Sequence, residues 1–219
     1  MVIMTAFKKA QDYVGNPGAM FDVVGELQLE LLKRNGCHRD SHVLEIGCGC
    51  LLAGLPIKRF LNPDRYVGIE PNTWLIDAVR QELIGAEDLI RAKRPIFLDN
   101  EDFDASITGR KFDFVISHSI LSHSAAWQLP LFLNNTSKVL APGGVIVASI
   151  RFHDADNRLV GDSNEPHWIY PGVSYYSYRT VERHAREYGL VAEWRRDYKE
   201  FFTKSAPSNF HDWIRLTRA

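Results

Sequence analysis

Cysteine is scarce, with three among 219 residues. Cys37, Cys48 and Cys50 are too few for a disulfide framework, and Cys48 and Cys50 lack the second pair that a structural zinc site needs. They read instead as small residues packed in and around a turn. A basic excess is also missing: the formal net charge is -1, and the lysines and arginines are dispersed. That excludes a broad nucleic-acid or anionic-membrane surface. Long apolar runs are absent too. The stretch from Met1 to Lys9 has no apolar core long enough for a signal peptide, and no later segment is long enough to span a bilayer. A reduced, cytoplasmic protein is expected. With no internal repeat, low-complexity segment or visible metal-ligand cluster, a chain of 45% hydrophobic and 24% charged residues predicts one domain over 1–219 with a sizeable core.

What the chain does have is Val43-Leu44-Glu45-Ile46-Gly47-Cys48-Gly49-Cys50-Leu51. An apolar run feeds a carboxylate and two alternating glycines before a second apolar run begins, the pattern of a buried strand ending in a tight turn that opens a helix. Glycine admits φ > 0 there and lets a ligand lie directly on the backbone. A dinucleotide site wants a third glycine for close helix packing, G-x-G-x-x-G. That position is Leu52, so the dinucleotide fingerprint fails. Glu45, two residues before the first glycine, would repel a pyrophosphate but can pair with a cationic amino-acid head.

The rest of the chain alternates strands and helices. Residues 1–42 read as a helical segment broken at Gly15-Asn16-Pro17-Gly18, with Phe21, Val24, Leu27, Leu31 and Leu32 at helical spacing. Tyr13 and the Phe21-Asp22 pair are candidates for a pocket wall, although helical spacing favours core. His42 to Ile46 is the first strand, Leu51 to Phe60 the helix after the turn, and Tyr66 to Glu70 the second strand. Glu70 ends that strand, where a carboxylate can accept both ribose hydroxyls of a nucleoside. Trp74 to Leu83 is helical, with Asn72 or Thr73 as N-cap; Trp74 either covers a ligand or packs. Arg91, Lys93 and Arg94 lie in a charged, solvated connection, and Pro95 to Asp99 forms a third strand. Phe112 to Ser117 is a fourth. His118 and His123 follow at its exit, placed for proton transfer in the crevice of an open α/β sheet. A helix from Ala125 to Leu140 ends at Ala141-Pro142-Gly143-Gly144, and Val145 to Ile150 is the fifth strand. Arg151 to Tyr178 is irregular and rich in aromatics, including Phe152, His167, Trp168, Tyr170, Tyr175 and Tyr176 among Gly161, Pro166, Pro171 and Gly172. It reads as an acceptor-binding lid over 151–178, with a plain cover for the sheet edge as its rival. His153, just after the fifth strand, is a third candidate base. Tyr178 to Tyr188 is a helix stopped by Gly189. Leu190 to Tyr198 and Asp212 to Arg218 are the last strands, linked through Ser205-Ala206-Pro207-Ser208 by a hairpin-like return.

The order E-x-G-x-G, an acid at the end of the next strand, and L-x-P-G-G before the fifth strand resembles the class I S-adenosylmethionine-dependent methyltransferase family. The resemblance implies an α/β fold: a Rossmann-like, doubly wound seven-stranded sheet with an antiparallel last strand and helices on both faces. It implies S-adenosyl-L-methionine as cofactor and S-adenosyl-L-homocysteine as product. By motif position the cofactor residues are Glu45, Gly47, Cys48, Gly49, Glu70, Pro71, Asn72 and Trp74, then Asp99, Asn100 and Phe103 around the adenine, then Ser117 and His118. Glu101 and Asp102 stand beside Asp99 as alternative adenine acids. The family's third alternating glycine is Leu51 here, which leaves room for a shifted methionine pocket. His123 matches a histidine of many relatives with different acceptors, so a structural role stands beside catalysis. Phe21-Asp22-Val23-Val24-Gly25 and the stretch from Arg94 to Phe103 are similar to a bacterial subgroup of small-molecule and glycan modifiers.

The expected reaction is methyl transfer to a small-molecule acceptor, such as a sugar hydroxyl, with His118, His123 and His153 as candidate bases. The alternatives are transfer to protein or RNA, and a non-catalytic cofactor-binding scaffold. No membrane and no metal is expected, and the sequence is silent on oligomeric state.

Overall fold

The computed structural model describes residues 5–15, 18–153, 164–207 and 211–219. Asn16 and Pro17 of the expected turn, Gly161 and the rest of 154–163 in the expected lid, and Ser208 of the expected return lie outside the described residues, as do residues 1–4. The chain forms two compact units, Met1–Glu101 and Asp102–Ala219. Across the seven-stranded sheet the strand order is β3-β2-β1-β4-β5-β7-β6.

The first unit runs α1 (Ala6–Tyr13), α2 (Gly18–Arg34), β1 (Val43–Ile46), α3 (Gly54–Phe60), β2 (Tyr66–Ile69), α4 (Thr73–Glu82), α5 (Ala86–Lys93) and β3 (Ile96–Leu98). Val43 to Ile46 and Tyr66 to Ile69 are buried throughout, as parallel strands covered on both faces must be. They pair in parallel with Val43 opposite Tyr66, and β2 pairs with β3 through Val67 and Ile96. Apolar residues of the flanking helices, among them Phe21, Leu55, Leu75, Val79 and Ile90, close one core around Cys48, Cys50 and Leu51. The N-terminal helix is tied down at its positive end. The Glu82 carboxylate accepts from the backbone N–H groups of Ala6 at 2.7 Å and Phe7 at 2.9 Å, and Thr5 caps Lys8 N–H.

Two expectations change in this unit. The helix after the glycine turn starts at Gly54 rather than Leu51, because Leu51 takes φ 60 and prolongs the turn. The charged connection contains α5. Its first turn carries Glu87 and Asp88, its last turn carries Arg91 and Lys93, and the left-handed Arg94 ends it, so the charges complement the helix dipole.

The second unit runs β4 (Phe112–Ser117), α6 (Gln128–Val139), β5 (Leu140–Ile150), α7 (Tyr178–Glu187), β6 (Leu190–Trp194), α8 (Arg196–Ser205) and β7 (Asp212–Arg218). β4 and β5 are parallel, with a register shift between Phe112 and Phe114. Strand β7 runs antiparallel to both β5 and β6, as expected of the last strand. β6 stops at Trp194, four residues short of the expected Tyr198. The connection to β7 is the helix α8, which seats Tyr198 and Phe202, one turn apart, in the core. Phe202 lies against Trp213 of β7 with ring centroids 4.7 Å apart, and this contact is what makes the segment a helix rather than a hairpin loop. α6 likewise begins at Gln128, three residues later than expected, because Gln128 Oε1 accepts from Ala125 N–H at 2.8 Å and folds the preceding residues into turns.

Candidate active site

In the first unit, β1 delivers Glu45 and the glycine turn. Gly47, Gly49 and Leu51 have φ of 71, 51 and 60, so three alternating residues are left-handed. The third pays for its side chain, because a left-handed L-residue costs about 1–2 kcal/mol; burial of the Leu51 side chain in the core offsets this. Cys48 N–H and Gly47 N–H both donate to Ile69 O, at 3.0 and 2.9 Å, which fastens the turn to the exit of β2.

Glu70 stands at that exit with both carboxylate oxygens engaged. Oε2 accepts from Gly49 N–H at 2.9 Å, and Oε1 accepts from Asn72 N–H at 2.9 Å and Asn72 Nδ2 at 3.1 Å. Burial pushes its pKa up, and these hydrogen bonds pull it back toward the ionised form. Asn72 is the N-cap residue of α4, but its side chain serves Glu70 rather than the helix. Pro71 and Asp99 are exposed and Asn100 is half-buried. Trp74, 41% exposed, meets the equally accessible Tyr13 edge-on with centroids 5.5 Å apart. The core role expected for Tyr13 therefore does not hold, whereas its neighbour in the expectation, Phe21, is buried.

Glu45 is 5% exposed and faces a buried polar cluster. Tyr66 OH donates to Glu45 Oε2 at 2.5 Å. The bond is possible because Gly68, on the same face of β2, has no side chain: a Cβ there would sit 3.1 Å from the Tyr66 hydroxyl and 2.8 Å from Cys48 Sγ. The fully buried Lys58 Nζ lies over the Tyr66 and Phe97 rings, 5.3 and 5.0 Å from their centroids, with no hydrogen-bond partner. Burial raises the Glu45 pKa to about 7, against the opposing pull of Tyr66 and then Lys58, and burial lowers that of Lys58 to about 8.

In the second unit, the residues after β4 make a hydrogen-bonded node. His123 Nδ1 meets Gly172 O at 2.5 Å, and a carbonyl only accepts, so Nδ1 carries the proton. Its Nε2 is then the acceptor for Ser119 Oγ at 3.1 Å. Ser119 is left-handed, with φ 62, and is pinned by its N–H to Ser149 Oγ at 2.7 Å. On its other side Ser119 Oγ lies 3.3 Å from Nε2 of His211, which Ser122 Oγ also meets at 3.3 Å. Burial holds His123 below the usual histidine range and His211 well below it. His118 is stacked flat on Trp213 at 5.5 Å and on Phe202 at 6.0 Å, with the His211 ring 5.0 Å away. His153 lies instead against the Tyr175 ring at 5.5 Å, its Nε2 buried without a partner. Ser117 is fully buried, and Phe103 is packed edge-on against Phe132 at 5.7 Å.

A strap from Glu165 to Tyr176 is sewn onto this turn. Ala126 N–H donates to Glu165 O, Trp127 Nε1 to Pro166 O, Ile169 N–H to His123 O, and Ser174 to Ser122 O and Ser124 O through its N–H and hydroxyl. The Trp168 and Tyr170 rings flank His123 at 6.0 and 4.9 Å.

A family model described as a methyltransferase domain matches residues 44–146, from β1 into β5. The matched stretch spans 103 of the 219 residues. Its fold is similar to that of the glycopeptide N-methyltransferase MtfA complexed with S-adenosyl-L-homocysteine, at 15% identity over 90% of both chains and a TM-score of 0.66. It is also similar to the CcbJ methyltransferase from Streptomyces caelestis, at 14% identity over 100% of both chains and a TM-score of 0.65. A third is magnesium protoporphyrin IX methyltransferase from Synechocystis PCC 6803 with bound S-adenosylmethionine, at 13% identity over 98% of this chain and 92% of that one, with a TM-score of 0.63.

Structures of similar fold hold S-adenosyl-L-homocysteine or S-adenosylmethionine, and the matched stretch of this chain contains the glycine turn and the strand-exit acid. Its turn retains the left-handed alternation despite Leu51, and Glu70 is held at the strand exit by the turn itself. Sequence reasoning missed Tyr66 as the partner of Glu45 and the buried Lys58 above the Tyr66 ring. The alternation that puts Tyr66 and Gly68 on one face of β2 was the available signal, whereas nothing in the sequence around Lys58 marks it. Ser119 and His211 were missed as well. They are 92 residues apart and meet only in the folded chain. Among the described residues no group of three or more histidine, cysteine, aspartate or glutamate side chains is placed to hold a metal ion. No described helix is long and apolar enough to cross a membrane.

Proposed function

We propose that this chain is a class I S-adenosylmethionine-dependent methyltransferase, that it acts on a small-molecule acceptor through a hydroxyl or amine, a sugar hydroxyl being one candidate, and that residues 1–219 work as one catalytic domain. The observation that carries the reading is the Glu165–Tyr176 strap, hydrogen-bonded to the exit of β4 and bringing Trp168 and Tyr170 to the buried His123. A fixed, aromatic-walled cover suits a compact acceptor better than an extended polymer. The dispersed surface charges, many of them in exposed ion pairs such as Arg94–Asp64 and Arg186–Glu182, give no stripe for RNA.

On this reading the glycine turn and Glu70 hold the nucleoside end of the cofactor, with Asn72, Trp74 and Asp99 beside it, and the bound sulfonium supplies an activated methyl group. Glu70 accepts the ribose hydroxyls while Gly49 N–H and Asn72 N–H keep its carboxylate aimed. The second unit's task is to orient the acceptor and remove its proton. His123 is poorly placed to do this alone, since both ring nitrogens are occupied; it holds the strap through Gly172 and orients Ser119. His118, His153 and His211 remain as proton acceptors, and neutral imidazole is the form that burial favours at His211.

The test is product detection with labelled S-adenosylmethionine across sugars, phenols, amines, peptides and RNA. Methylation of a small acceptor at a rate insensitive to salt supports the reading. Methylation of peptide or RNA alone, or cofactor binding with no product from any acceptor, refutes it.

A further inference from the structure

A cavity of about 250 Å³ lies between α2, the start of α3 and the end of α4, all within the first unit. Phe21 of α2, Leu55 and Pro56 of α3, Leu52 before α3 and Leu83 after α4 give it apolar walls. The first three are buried and the two leucines at 52 and 83 are half-buried. Asp22 and Glu26 of α2 and Arg59 of α3 complete the lining, and all three are exposed, so the charges stand at the mouth and the apolar surface lies within. The Phe21-Asp22 pair is therefore a pocket wall. The pocket is not that of the glycine turn, since neither Glu45, Gly47, Gly49 nor Glu70 lines it.

The fold does not use these three charges. Neighbouring charges of the unit are paired: Arg94 with Asp64, Arg80 and Arg91 with Glu87, and Glu30, one turn beyond Glu26, with Lys33 and Arg34. The side chains of Asp22, Glu26 and Arg59 make no hydrogen bond or ion pair with a described residue, although they line one small cavity. Asp22 and Glu26 are one turn apart on α2, so their carboxylates share a face and repel each other, and a cation relieves that repulsion. Arg59 lines the cavity from α3 but stands too far from both to pair. The backbone fixes the gap between the two helices. Gly25, on α2 between the two acids, lies directly on the entry to α3, where a Cβ would sit 2.2 Å from Leu52 O. Two carboxylates, a separate guanidinium and an apolar interior complement a molecule that carries an ammonium group, a carboxylate and an apolar body.

We propose that this cavity is a second small-molecule site and that it binds a free aliphatic α-amino acid. The ammonium group meets Asp22 and Glu26, the carboxylate meets Arg59, and the side chain lies against Phe21, Leu55 and Pro56. A volume of about 250 Å³ holds a compact ligand, being just below the range of drug-sized sites. Leu52 belongs both to the cavity wall and to the segment that joins the glycine turn to α3, so the ligand sits beside the turn without entering it. The site stands independently of the methyl-transfer reading. Because its charged groups are solvent-exposed, each contributes modestly, and the affinity falls in the millimolar range.

The test is amide NMR on the full chain titrated with L-leucine to about 100 mM. Leucine should shift the amides of Asp22, Gly25, Leu55 and Arg59 and saturate. 3-Methylbutylamine lacks the carboxylate, 4-methylpentanoate lacks the ammonium group and glycine lacks the apolar body, so each should bind at least about threefold more weakly. Glu26→Gln and Arg59→Gln, both at exposed positions, should each weaken leucine about threefold and together about tenfold. Arg59→Gln should also remove the advantage of leucine over 3-methylbutylamine, and Arg91→Gln on α5 should change nothing. Saturation with S-adenosyl-L-homocysteine should leave the leucine shifts in place. The proposal is overturned if these amides show no saturable shift, or if the shifts centre on Gly47, Gly49 and Glu70. It is equally overturned if glycine, the amine or the acid binds as tightly as leucine, if S-adenosyl-L-homocysteine displaces leucine, or if the double variant binds as wild type does. A failure of the methyl-transfer reading would appear in the product assay and leave this result standing.

Discussion

Replacing Glu70 by alanine removes the group on which the cofactor reading depends most. Its carboxylate now accepts three hydrogen bonds, from Gly49 N–H, Asn72 N–H and Asn72 Nδ2, in a site where the residue is 6% exposed. Two bonds from ribose hydroxyls to an ionised acceptor are worth about 1.5–3 kcal/mol each. The oxygens must be shared with donors already present, so the lower end applies, about 3 kcal/mol in all. That corresponds to roughly a hundredfold rise in the Kd for S-adenosyl-L-homocysteine. The same truncation leaves Gly49 N–H and Asn72 N–H without their acceptor, which costs about 1–3 kcal/mol of folding stability per buried donor. Isothermal titration calorimetry reads the affinity, and urea unfolding with near-ultraviolet circular dichroism confirms that the variant is folded. Glu70→Gln keeps one oxygen and should fall between wild type and alanine. A folded Glu70→Ala protein that binds within about threefold of wild type would refute the assignment of Glu70 to the ribose.

Glu45, buried against Tyr66 and Lys58, gives the stability a pH slope. Its folded pKa of about 7 lies above the ordinary carboxylate value of 4.5, so the folded state holds the extra proton between these values and stability falls as pH rises through the window. The shift amounts to about 3 kcal/mol. Glu70, His123 and His211 titrate in both proteins, so the Glu45 contribution is the difference: urea unfolding from pH 4.5 to 7.5 should show stability falling more, or rising less, with pH in wild type than in Glu45→Gln, and equal slopes would remove the buried-acid explanation. Gly25→Ala places a Cβ 2.2 Å from Leu52 O. The helix α2 must then retreat from the turn before α3, at a cost of about 1–3 kcal/mol, and an unchanged Tm would show that the two segments are not in close contact. His123→Ala cuts the Nδ1–H bond to Gly172 O and the anchor of Ser119, so limited proteolysis should cleave the 164–176 strap faster than in wild type while cofactor affinity stays within about twofold. Unaltered cleavage would count against His123 as the strap's fastening.

Elements with strong local pattern were legible in the sequence. β4 from Phe112 to Ser117 and β7 from Asp212 to Arg218 have the expected limits because each is an apolar or alternating run closed by a polar residue. α7 is where its serine cap and Gly189 put it, Ser177 Oγ accepting from Thr180 N–H at 3.1 Å. α5 was hidden because its surface is charged and its inner face offers only Ala86 and Ile90 to the core. α8 was hidden because Tyr198 looks like the end of a strand and Phe202 like part of a return until Trp213 is placed against Phe202.

The sequence by itself determined the glycine turn and its two acids. A strand, an acid, alternating glycines and a second acid at the next strand exit require close backbone approach and a carboxylate at fixed offsets, and both are local properties of the chain. Tertiary structure decided what each group does there. Glu45 was expected to meet a cationic ligand head; in the folded chain its carboxylate accepts from Tyr66 OH, because Gly68 leaves the gap through which the phenol reaches it. His123 was a candidate base and is a hydrogen-bonded node, because Gly172 occupies one nitrogen and Ser119 the other. His211 entered the site from 92 residues beyond Ser119. Hydrogen bonds between segments so distant in sequence depend on where the sheet carries their ends, and no local periodicity encodes that placement.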